Sequence, residues 1–276
     1  MDTTELKARY GPWALITGAS EGLGAAFARE LAEAGMNIVL TSRRQAVLEA
    51  RARELEESFG VQTRVLSIDL TTPDAAGTLA DAVADLEIGL FINTPGADDH
   101  GAFFLDVPLA EWLALVRLNV MTTLELCHHL CRPMRDRGRG GLILLSSGAS
   151  RSGGGRVAVY SAAKAFDRNL AEGLWWELAH DGVDVLGLVL RGTATPALLR
   201  RLEAQHITVE GLDDPAKVAR TGLERLGHGP TYFMGEGEGA VEEWWTCEHR
   251  REIVTSTSER SKAYFAPGGG EPQAGS

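Results

Sequence analysis

Residues 17–24 read Thr17-Gly-Ala-Ser-Glu-Gly-Leu-Gly24 and directly follow an apolar, β-rich run from Trp13 to Thr17. Apolar side chains then recur at helical spacing at Phe27 and Leu31, so this stretch predicts a strand, a glycine-rich turn and a helix in succession. Glycines permit the tight turn and let backbone N–H groups approach a pyrophosphate at the start of the helix. A turn that merely needs a flexible backbone is the weaker alternative, because the strand and helix stand where a dinucleotide-binding turn requires them.

The rest of the chain repeats this alternation of short apolar strands and amphipathic helices. Further strands are predicted at 37–41, 63–68, 89–93, 142–145, 183–190 and 231–234. Helices are predicted after the glycine turn and at 45–58, 73–86, 109–137, 160–179 and 214–226. Strands that alternate with helices of this length favour a parallel sheet covered by helices on both faces.

Composition and charge narrow the class of protein. The chain has 276 residues, of which 44% are hydrophobic and 24% charged, as in ordinary globular proteins. Its formal net charge of -11 argues against nucleic-acid binding and against docking on anionic membranes. The first nine residues lack the apolar core of a signal peptide, and no apolar run is long enough to cross a bilayer. We therefore expect a cytoplasmic protein.

Neither an internal repeat nor a linker interrupts the pattern, so a single domain is expected over residues 1–265. Residues 235–265 are the least regular part of it and are treated as an atypical C-terminal extension. Residues 266–276 are rich in glycine and proline, which is typical of a disordered tail.

The three cysteines suggest a reducing compartment and not a disulfide framework. Cys127 and Cys131 flank His128 and His129, which raises the possibility of a zinc site. A second cluster of ligands is missing, and the segment has the pattern of an amphipathic helix. Two buried small side chains and no metal are the favoured interpretation.

The segment Tyr160-Ser-Ala-Ala-Lys164 points to proton transfer. On a helix, side chains four residues apart lie one turn apart on the same face. A nearby ammonium favours a phenolate and lowers the pKa of a tyrosine from about 10. Such a phenol can exchange a proton with a substrate oxygen near neutral pH. Two solvated residues on a helix surface are the alternative, because this spacing also arises by chance.

The end of the second strand indicates which dinucleotide is bound. Thr41-Ser42-Arg43-Arg44 stands where an NAD-binding protein has an acidic residue for the ribose hydroxyls. Guanidinium groups beside a hydroxyl suit a 2′-phosphate, so NADP is preferred and NAD remains possible. A solvated helix start is the alternative, although arginine is unfavourable at the positive end of a helix dipole. Glu21 in the glycine turn counts against the phosphate if its side chain points that way.

These motifs together resemble the short-chain dehydrogenase/reductase family, in its subgroup of single-domain proteins of ordinary length. The matching pieces, in family order, are Thr17–Gly24, Asp69, Asn93-Thr-Pro-Gly96, Asn119, Ser146-Ser147, Tyr160–Lys164 and Arg191-Gly-Thr-Ala-Thr-Pro196. The resemblance implies a Rossmann-like, doubly wound parallel sheet of about seven strands. It also implies a homodimer or homotetramer, because the equivalents of helices 109–137 and 160–179 pair between subunits in such proteins.

The resemblance further implies reversible hydride transfer between a nicotinamide and a carbonyl or alcohol substrate. The implied catalytic tetrad is Asn119, Ser147, Tyr160 and Lys164. Ser147 is preferred to Ser146 because it lies thirteen positions before Tyr160 (160 − 147), a spacing similar to the family's. The expected cofactor contacts are Gly18, Ser20, Gly22, Leu23, Gly24, Ser42, Arg43, Arg44, Asp69, Leu70, Asn93, Gly96, Tyr160, Lys164 and Thr195.

Several assignments keep alternatives. Asp69 could accept a hydrogen bond from the adenine amino group or could stabilise a turn. Pro95 and Arg191 depart from the family pattern, and Arg191 could reshape the end of its strand or contact an acidic substrate. Residues 193–212 could form a mobile lid or a rigid surface helix. An epimerase or dehydratase that uses the cofactor without net redox is the alternative activity, and a non-catalytic NADP-binding protein is a less favoured one.

Overall fold

The computed structural model describes residues 3–94, 96 and 100–235 of the chain. The strands are β1 Trp13–Thr17, β2 Asn37–Ser42, β3 Thr63–Ser67, β4 Ile88–Asn93, β5 Gly140–Ser147, β6 Val183–Leu190 and β7 Thr231–Phe233. The helices are α1 Thr3–Tyr10, α2 Gly22–Glu33, α3 Gln45–Phe59, α4 Ala75–Asp81, α5 Leu109–Val116, α6 Thr122–Arg137, α7 Ala158–Leu178, α8 Pro196–Ala204 and α9 Pro215–Arg225. A single π-helical turn, Arg117–Met121, joins α5 to α6.

All seven strands form one parallel sheet in the order β3-β2-β1-β4-β5-β6-β7. The predicted Rossmann-like, doubly wound architecture is therefore confirmed. Two large apolar clusters pack against opposite faces of the sheet. Successive residues of β1 point to opposite faces, so Leu15 belongs to one of these clusters and Ile16 to the other. The strand order reverses between β1 and β4, which opens a crevice at the carboxyl ends of these two strands.

Strand β5 begins earlier than predicted because its neighbours require glycine. The strand was predicted over 142–145 only, yet Gly140 and Gly141 pair with Val183 and Asp184 of β6. A methyl group on Gly140 would lie 2.6 Å from the Met134 side chain, and one on Gly141 would lie 2.9 Å from the Tyr10 ring. The two glycines thus leave room for side chains of α6 and α1 and do not mark a turn.

Helix α4 is shorter than the predicted 73–86, and Arg64 on β3 supplies the reason. Its guanidinium donates to the Ala82 carbonyl at 2.9 Å and to both carboxylate oxygens of Asp85 at 2.5 and 2.8 Å. These contacts fix a carbonyl and a side chain just beyond the helix end, where the chain turns toward β4. The helix α1 was not predicted.

No helix within residues 3–94 and 100–235 has the length and apolar character that crossing a membrane would require. The predictions for the chain beyond Gly235, an atypical extension and a disordered tail, concern residues outside those the structure describes.

Candidate active site

The glycine turn lies in close contact with the backbone around it. Gly18 has a φ of 65°, and a methyl group there would lie 2.5 Å from the Thr94 carbonyl oxygen. A methyl group on Gly24 would touch the Gly18 carbonyl, 2.7 Å from its carbon. Glu21 is the N-cap residue of α2 but its side chain makes no capping hydrogen bond. The Glu21 side chain therefore does not cap the first backbone N–H groups of α2. A phosphate-binding turn needs these N–H groups uncapped, so that they can donate to the phosphate.

The other residues expected in the turn pack around it. Gly22 has a φ of 61°, and a methyl group there would lie 3.2 Å from the Thr195 side chain. Leu23 is half-buried against the apolar cluster that contains Ile16. The turn is thereby held between the core and the segment that carries Thr195.

Arg44 connects the end of β2 to the glycine turn. Its Nη2 donates to the Ser20 hydroxyl at 2.8 Å and lies 3.1 Å from a Glu21 carboxylate oxygen. The Ser42 hydroxyl accepts the backbone N–H of Arg44 at 3.2 Å. Arg43 is exposed. Arg44 thus contacts both Ser20 and Ser42 at the edge where a 2′-phosphate would need cations.

Glu21 also reaches in the other direction, to helix α8. Its second carboxylate oxygen accepts from Arg200 at 2.7 Å. The hydrogen bond from Arg200, followed by that from Arg44, lowers the pKa of Glu21 below its ordinary value although partial burial opposes the effect. The Glu21 side chain is therefore an anion that two guanidinium groups neutralise.

Asp69 stabilises a turn in this structure. Its Oδ1 accepts the backbone N–H of Thr71 at 3.0 Å and the Thr71 hydroxyl at 2.7 Å. The backbone hydrogen bond is the main reason that the pKa of Asp69 lies below its ordinary value. The next residue, Leu70, is buried and its carbonyl accepts the Thr122 hydroxyl at 2.8 Å.

A buried chain of hydrogen bonds runs from the glycine turn to Asn119. The Thr17 hydroxyl donates to Asn93 at 2.8 Å, and the Asn93 amide donates to the Thr123 hydroxyl at 2.8 Å. Thr123 in turn donates to the Asn119 carbonyl at 2.7 Å. Asn119 itself is fully buried in the π-helical turn, and its Nδ2 donates to Leu115. Its Oδ1 has no hydrogen-bond partner among the described residues.

Tyr160 and Lys164 lie one turn apart on α7, as the spacing predicted. Lys164 Nζ lies 5.9 Å from the centroid of the Tyr160 ring. Tyr160 is half-buried, whereas Lys164 is 3% exposed. Lys164 is held by β5, because Nζ donates to the Leu145 carbonyl at 3.0 Å.

The two serines at the end of β5 have different roles. The Ser146 hydroxyl is buried and donates to the Lys164 carbonyl at 2.6 Å, so it fastens α7 to the strand. The half-buried Ser147 instead accepts the backbone N–H of Ala149 at 3.2 Å. This bond occupies an acceptor position of Ser147 and leaves its hydroxyl hydrogen available to a substrate oxygen.

Asp167 belongs to this site but was not singled out from the sequence. Its carboxylate lies 2.9 Å from Lys164 Nζ, and its side chain is fully buried. Burial raises the pKa of Asp167, and the Lys164 ammonium acts against this effect. The available sequence signal was its position three residues after Lys164, on the same inward face of α7.

The far wall of the site includes helix α8, which lies within the segment 193–212 that was expected to form a mobile lid or a rigid surface helix. Thr195 is the N-cap of α8, and its hydroxyl accepts the Leu198 N–H at 3.3 Å. Arg191 forms a bidentate pair with Asp213, with nitrogen–oxygen distances of 3.0 and 3.3 Å. Gly96 lies near Leu118, because a methyl group on that glycine would be 3.2 Å from the leucine. Pro95 lies outside the described residues.

Cys127 and Cys131 are both free and buried. Burial raises the pKa of Cys127 and raises that of Cys131 to about 12. Within residues 3–94 and 100–235, no group of three or more histidine, cysteine or carboxylate side chains is arranged to hold a metal ion.

Comparison with known proteins places the chain in a family. Residues 12–206 match the family model described as short chain dehydrogenase. The chain belongs to the short-chain dehydrogenase/reductase family, as the sequence motifs suggested. It is accordingly a nicotinamide-dependent oxidoreductase that acts on CH–OH groups.

Curated relatives and solved structures extend this result. A 7beta-hydroxysteroid dehydrogenase of Clostridium sardiniense is 34% identical over 83% of this chain and 87% of its own length. A second one, of Collinsella aerofaciens, is 32% identical over 87% of this chain and 92% of its own. A solved structure from work on 7beta-hydroxysteroid dehydrogenase stereoselectivity has a TM-score of 0.83 at 31% identity, covering 91% of this chain and 98% of that one. A short-chain dehydrogenase of Sphingobium yanoikuyae in complex with NADPH has a TM-score of 0.76 at 25% identity, covering 89% and 95%.

Proposed function

We propose that this enzyme uses NADP(H) to interconvert a carbonyl and an alcohol on a hydroxysteroid or a similarly bulky apolar substrate. The observation that carries the proposal is the contact of Lys164, one turn from Tyr160, with the end of β5, at the same edge of the parallel sheet as the glycine turn after β1. Near full-length similarity to two 7beta-hydroxysteroid dehydrogenases supports the substrate class. A very-long-chain 3-oxoacyl-CoA reductase of Laccaria bicolor is 34% identical over 64% of this chain and 54% of its own length, so a 3-oxoacyl thioester is the competing substrate.

The residues present fit a dinucleotide. The close contacts at Gly18 and Gly24 leave no room for side chains beside the turn, so a pyrophosphate would meet backbone N–H groups. Asn93, Gly96 and Thr195 would line the nicotinamide end of the crevice, and Asp69 and Leu70 would lie beside the adenine. The bound nicotinamide supplies the hydride-transfer chemistry, and the protein binds, orients and polarises.

Within this proposal each member of the tetrad has a separate task. Ser147 donates a hydrogen bond to the substrate oxygen and holds it in place. Tyr160 supplies a proton to that oxygen as negative charge develops on it, and takes the proton back in the oxidative direction. The Lys164 ammonium would stabilise the phenolate through its positive charge, and its remaining N–H would hydrogen-bond the nicotinamide ribose. Asn119, through its unpartnered Oδ1, holds a water that returns a proton to Lys164.

Replacement of Tyr160 by phenylalanine tests the acid–base role. Loss of a positioned proton donor should lower kcat by about 100- to 10,000-fold. The dissociation constant of NADPH, measured by fluorescence titration, should stay within about twofold, because the ring and its packing remain. Near-normal turnover of Tyr160→Phe would refute the assignment.

The two serines provide a matched pair of variants. Ser147→Ala should lower kcat in the same range as the tyrosine change, since it removes a donor to the reacting oxygen. Ser146→Ala loses only the bond to the Lys164 carbonyl and should cost about 0.5–1.5 kcal/mol of stability with a much smaller loss of kcat. Equal losses of kcat in both variants would contradict the proposed division of roles.

Preference for NADP is proposed to depend on Arg44, with Arg43 contributing from its exposed position. Arg44→Ala should raise the dissociation constant of NADPH roughly 10- to 100-fold, the value of one charge-assisted contact, and leave that of NADH nearly unchanged. Glu21→Gln should favour NADPH, because it removes the carboxylate that holds Arg44. Equal losses for both cofactors in Arg44→Ala would argue against a 2′-phosphate site.

A substrate panel separates the competing activities. We expect oxidation of hydroxysteroids with NADP to exceed reduction of 3-oxoacyl thioesters with NADPH, followed by absorbance at 340 nm. Net formation or consumption of NADPH distinguishes this reaction from epimerisation or dehydration, which leave the cofactor unchanged overall. Conversion of substrate without any net change in NADPH would refute the leading proposal.

We also propose that the chain assembles as a homodimer or homotetramer. Leu109 and Leu113 on α5, Leu124 on α6 and Trp176 on α7 expose 66%, 58%, 42% and 72% of their surface, respectively. Apolar side chains concentrated on adjacent helices are typical of an interface between subunits. Light scattering of the eluting protein gives its mass, and a monomer of 29.6 kDa would contradict this expectation.

A further inference from the structure

Lys164 and Asp167 form an ion pair that is almost completely removed from solvent. Their side chains are 4% and 0% exposed, and Nζ lies 2.9 Å from Oδ2. The two residues are three apart on α7, so both point inward from one face of the helix. Breaking such a pair is costly, because the remaining charge stays buried without a partner.

Other contacts of the ammonium explain why the carboxylate matters. Of the three N–H groups of Lys164, one is directed to Asp167 and one to the Leu145 carbonyl. One hydrogen is left for groups on the Tyr160 side of the pair. Within the described part of the chain, Lys164 has no other anionic partner. An ammonium buried to this degree needs a nearby anion, because an unpaired charge is unfavourable away from water.

We propose that Asp167 is a positioning residue that keeps Lys164 protonated and directs its free N–H toward Tyr160 and the cofactor. This inference rests on the proposed function, in which Lys164 stabilises the Tyr160 phenolate. Asp167 touches neither substrate nor cofactor in this account and acts only through the lysine.

The remaining groups that face the pair do not replace this charge. From α6, Thr123 contributes a neutral hydroxyl and Cys127 a thiol, and burial raises the pKa of Cys127 so that the thiol stays neutral at physiological pH. Strand β5 contributes the Leu145 carbonyl. Helix α7 itself contributes Tyr160. Among the residues that the structure describes, Asp167 is thus the carboxylate paired with the ammonium.

The test compares the pH dependence of carbonyl reduction in wild type and Asp167→Asn, which preserves shape and removes the charge. Reduction requires protons on Lys164 and Tyr160, so its rate falls at alkaline pH. Removing a neighbouring negative charge lets the pair lose a proton at lower pH. The alkaline limb of the pH–rate profile should therefore move to lower pH by roughly one unit or more. The fall in kcat should be larger than the change in KM.

Two further variants separate charge from packing. Asp167→Glu keeps the charge and should leave the limb in its wild-type position even if longer packing lowers kcat. Glu177→Gln removes an exposed carboxylate from the same helix and should change neither the limb nor kcat. An unmoved limb in Asp167→Asn, with kcat reduced, would assign Asp167 a purely structural role and overturn the inference.

A measurement on the unaltered enzyme covers the case in which Asp167→Asn does not fold. The chain has four lysines, so the Lys164 ammonium can be followed in nitrogen–proton correlation spectra with Lys164→Met as the assignment control. We expect Lys164 to remain an ammonium throughout the pH range in which the enzyme is active. Loss of its proton while activity persists would overturn the inference. An active Tyr160→Phe enzyme, by contrast, would refute the proposed function itself.

Discussion

A methyl group added at Gly24 should weaken cofactor binding and should alter stability less. The added carbon would lie 2.7 Å from the Gly18 carbonyl carbon and 2.9 Å from the Ala19 Cα, whereas ordinary contact begins at 3.4 Å. The Gly18 carbonyl oxygen would be closer still, and all three atoms belong to the backbone, so the turn must move by at least about 0.7 Å (3.4 − 2.7). Such overpacking costs about 1–3 kcal/mol, partly offset by the better helix propensity of alanine, about 1 kcal/mol.

The displaced atoms belong to the turn whose N–H groups would hold the pyrophosphate. Losing one charge-assisted hydrogen bond of about 1.5–3 kcal/mol raises the dissociation constant roughly 10- to 100-fold. Isothermal titration with NADPH gives this constant, and calorimetric melting gives the change in stability. Both are measured on Gly24→Ala and on wild type under the same conditions.

Gly173 offers the matched control for this substitution. It lies inside helix α7, and a methyl group there would meet no atom within 4 Å. Gly173→Ala should gain about 0.5–1 kcal/mol of stability and leave NADPH affinity unchanged. Wild-type affinity in Gly24→Ala would refute the reasoning, and so would a comparable loss of affinity in Gly173→Ala.

Two other predictions concern side chains outside the site. The Tyr10 hydroxyl donates to Asp184 at 2.6 Å, so Tyr10→Phe should cost about 1–3 kcal/mol at neutral pH by chemical denaturation. Burial and this bond raise the pKa of Tyr10, so the folded state holds the phenol proton more tightly than the unfolded chain does. The resulting stabilisation is present below pH about 10 and is lost above it. Above pH about 10, Tyr10→Phe should therefore lose less stability than wild type. In a Cys247→Ser background, Cys131 should react with iodoacetamide about 1,000-fold more slowly than an ordinary thiol until the protein unfolds, because burial raises its pKa from 9.0 to about 12. A native-state rate typical of a free thiol, detected by mass spectrometry, would contradict the burial of Cys131.

Local patterns in the sequence determined the fold class and the order of the site motifs along the chain. Strands β1 and β6 lie at the predicted residues, because a fully buried parallel strand is a short apolar run whatever packs against it. The glycine turn and the Tyr160–Lys164 spacing were readable for the same reason, since each depends on neighbours within a few residues. The tetrad remains a prediction that the proposed variants test.

Contacts between distant segments decided the rest. Gly140 and Gly141 belong to a strand because Met134 and Tyr10 occupy the space that side chains would need. Helix α4 ends where Arg64, contributed by β3, binds Ala82 and Asp85. These partners are separated along the chain by up to about 130 residues (141 − 10), so no local pattern contains them.

The charge interactions of the site also depend on contacts that local sequence patterns do not contain. The neutralisation of Glu21 by Arg200 joins residues 179 positions apart. The Lys164–Asp167 pair is local in sequence, but its importance is not, because only the packing of α7 against β5 and α6 removes it from water. Burial, which belongs to the folded whole, turns an ordinary helical spacing into a strong electrostatic constraint.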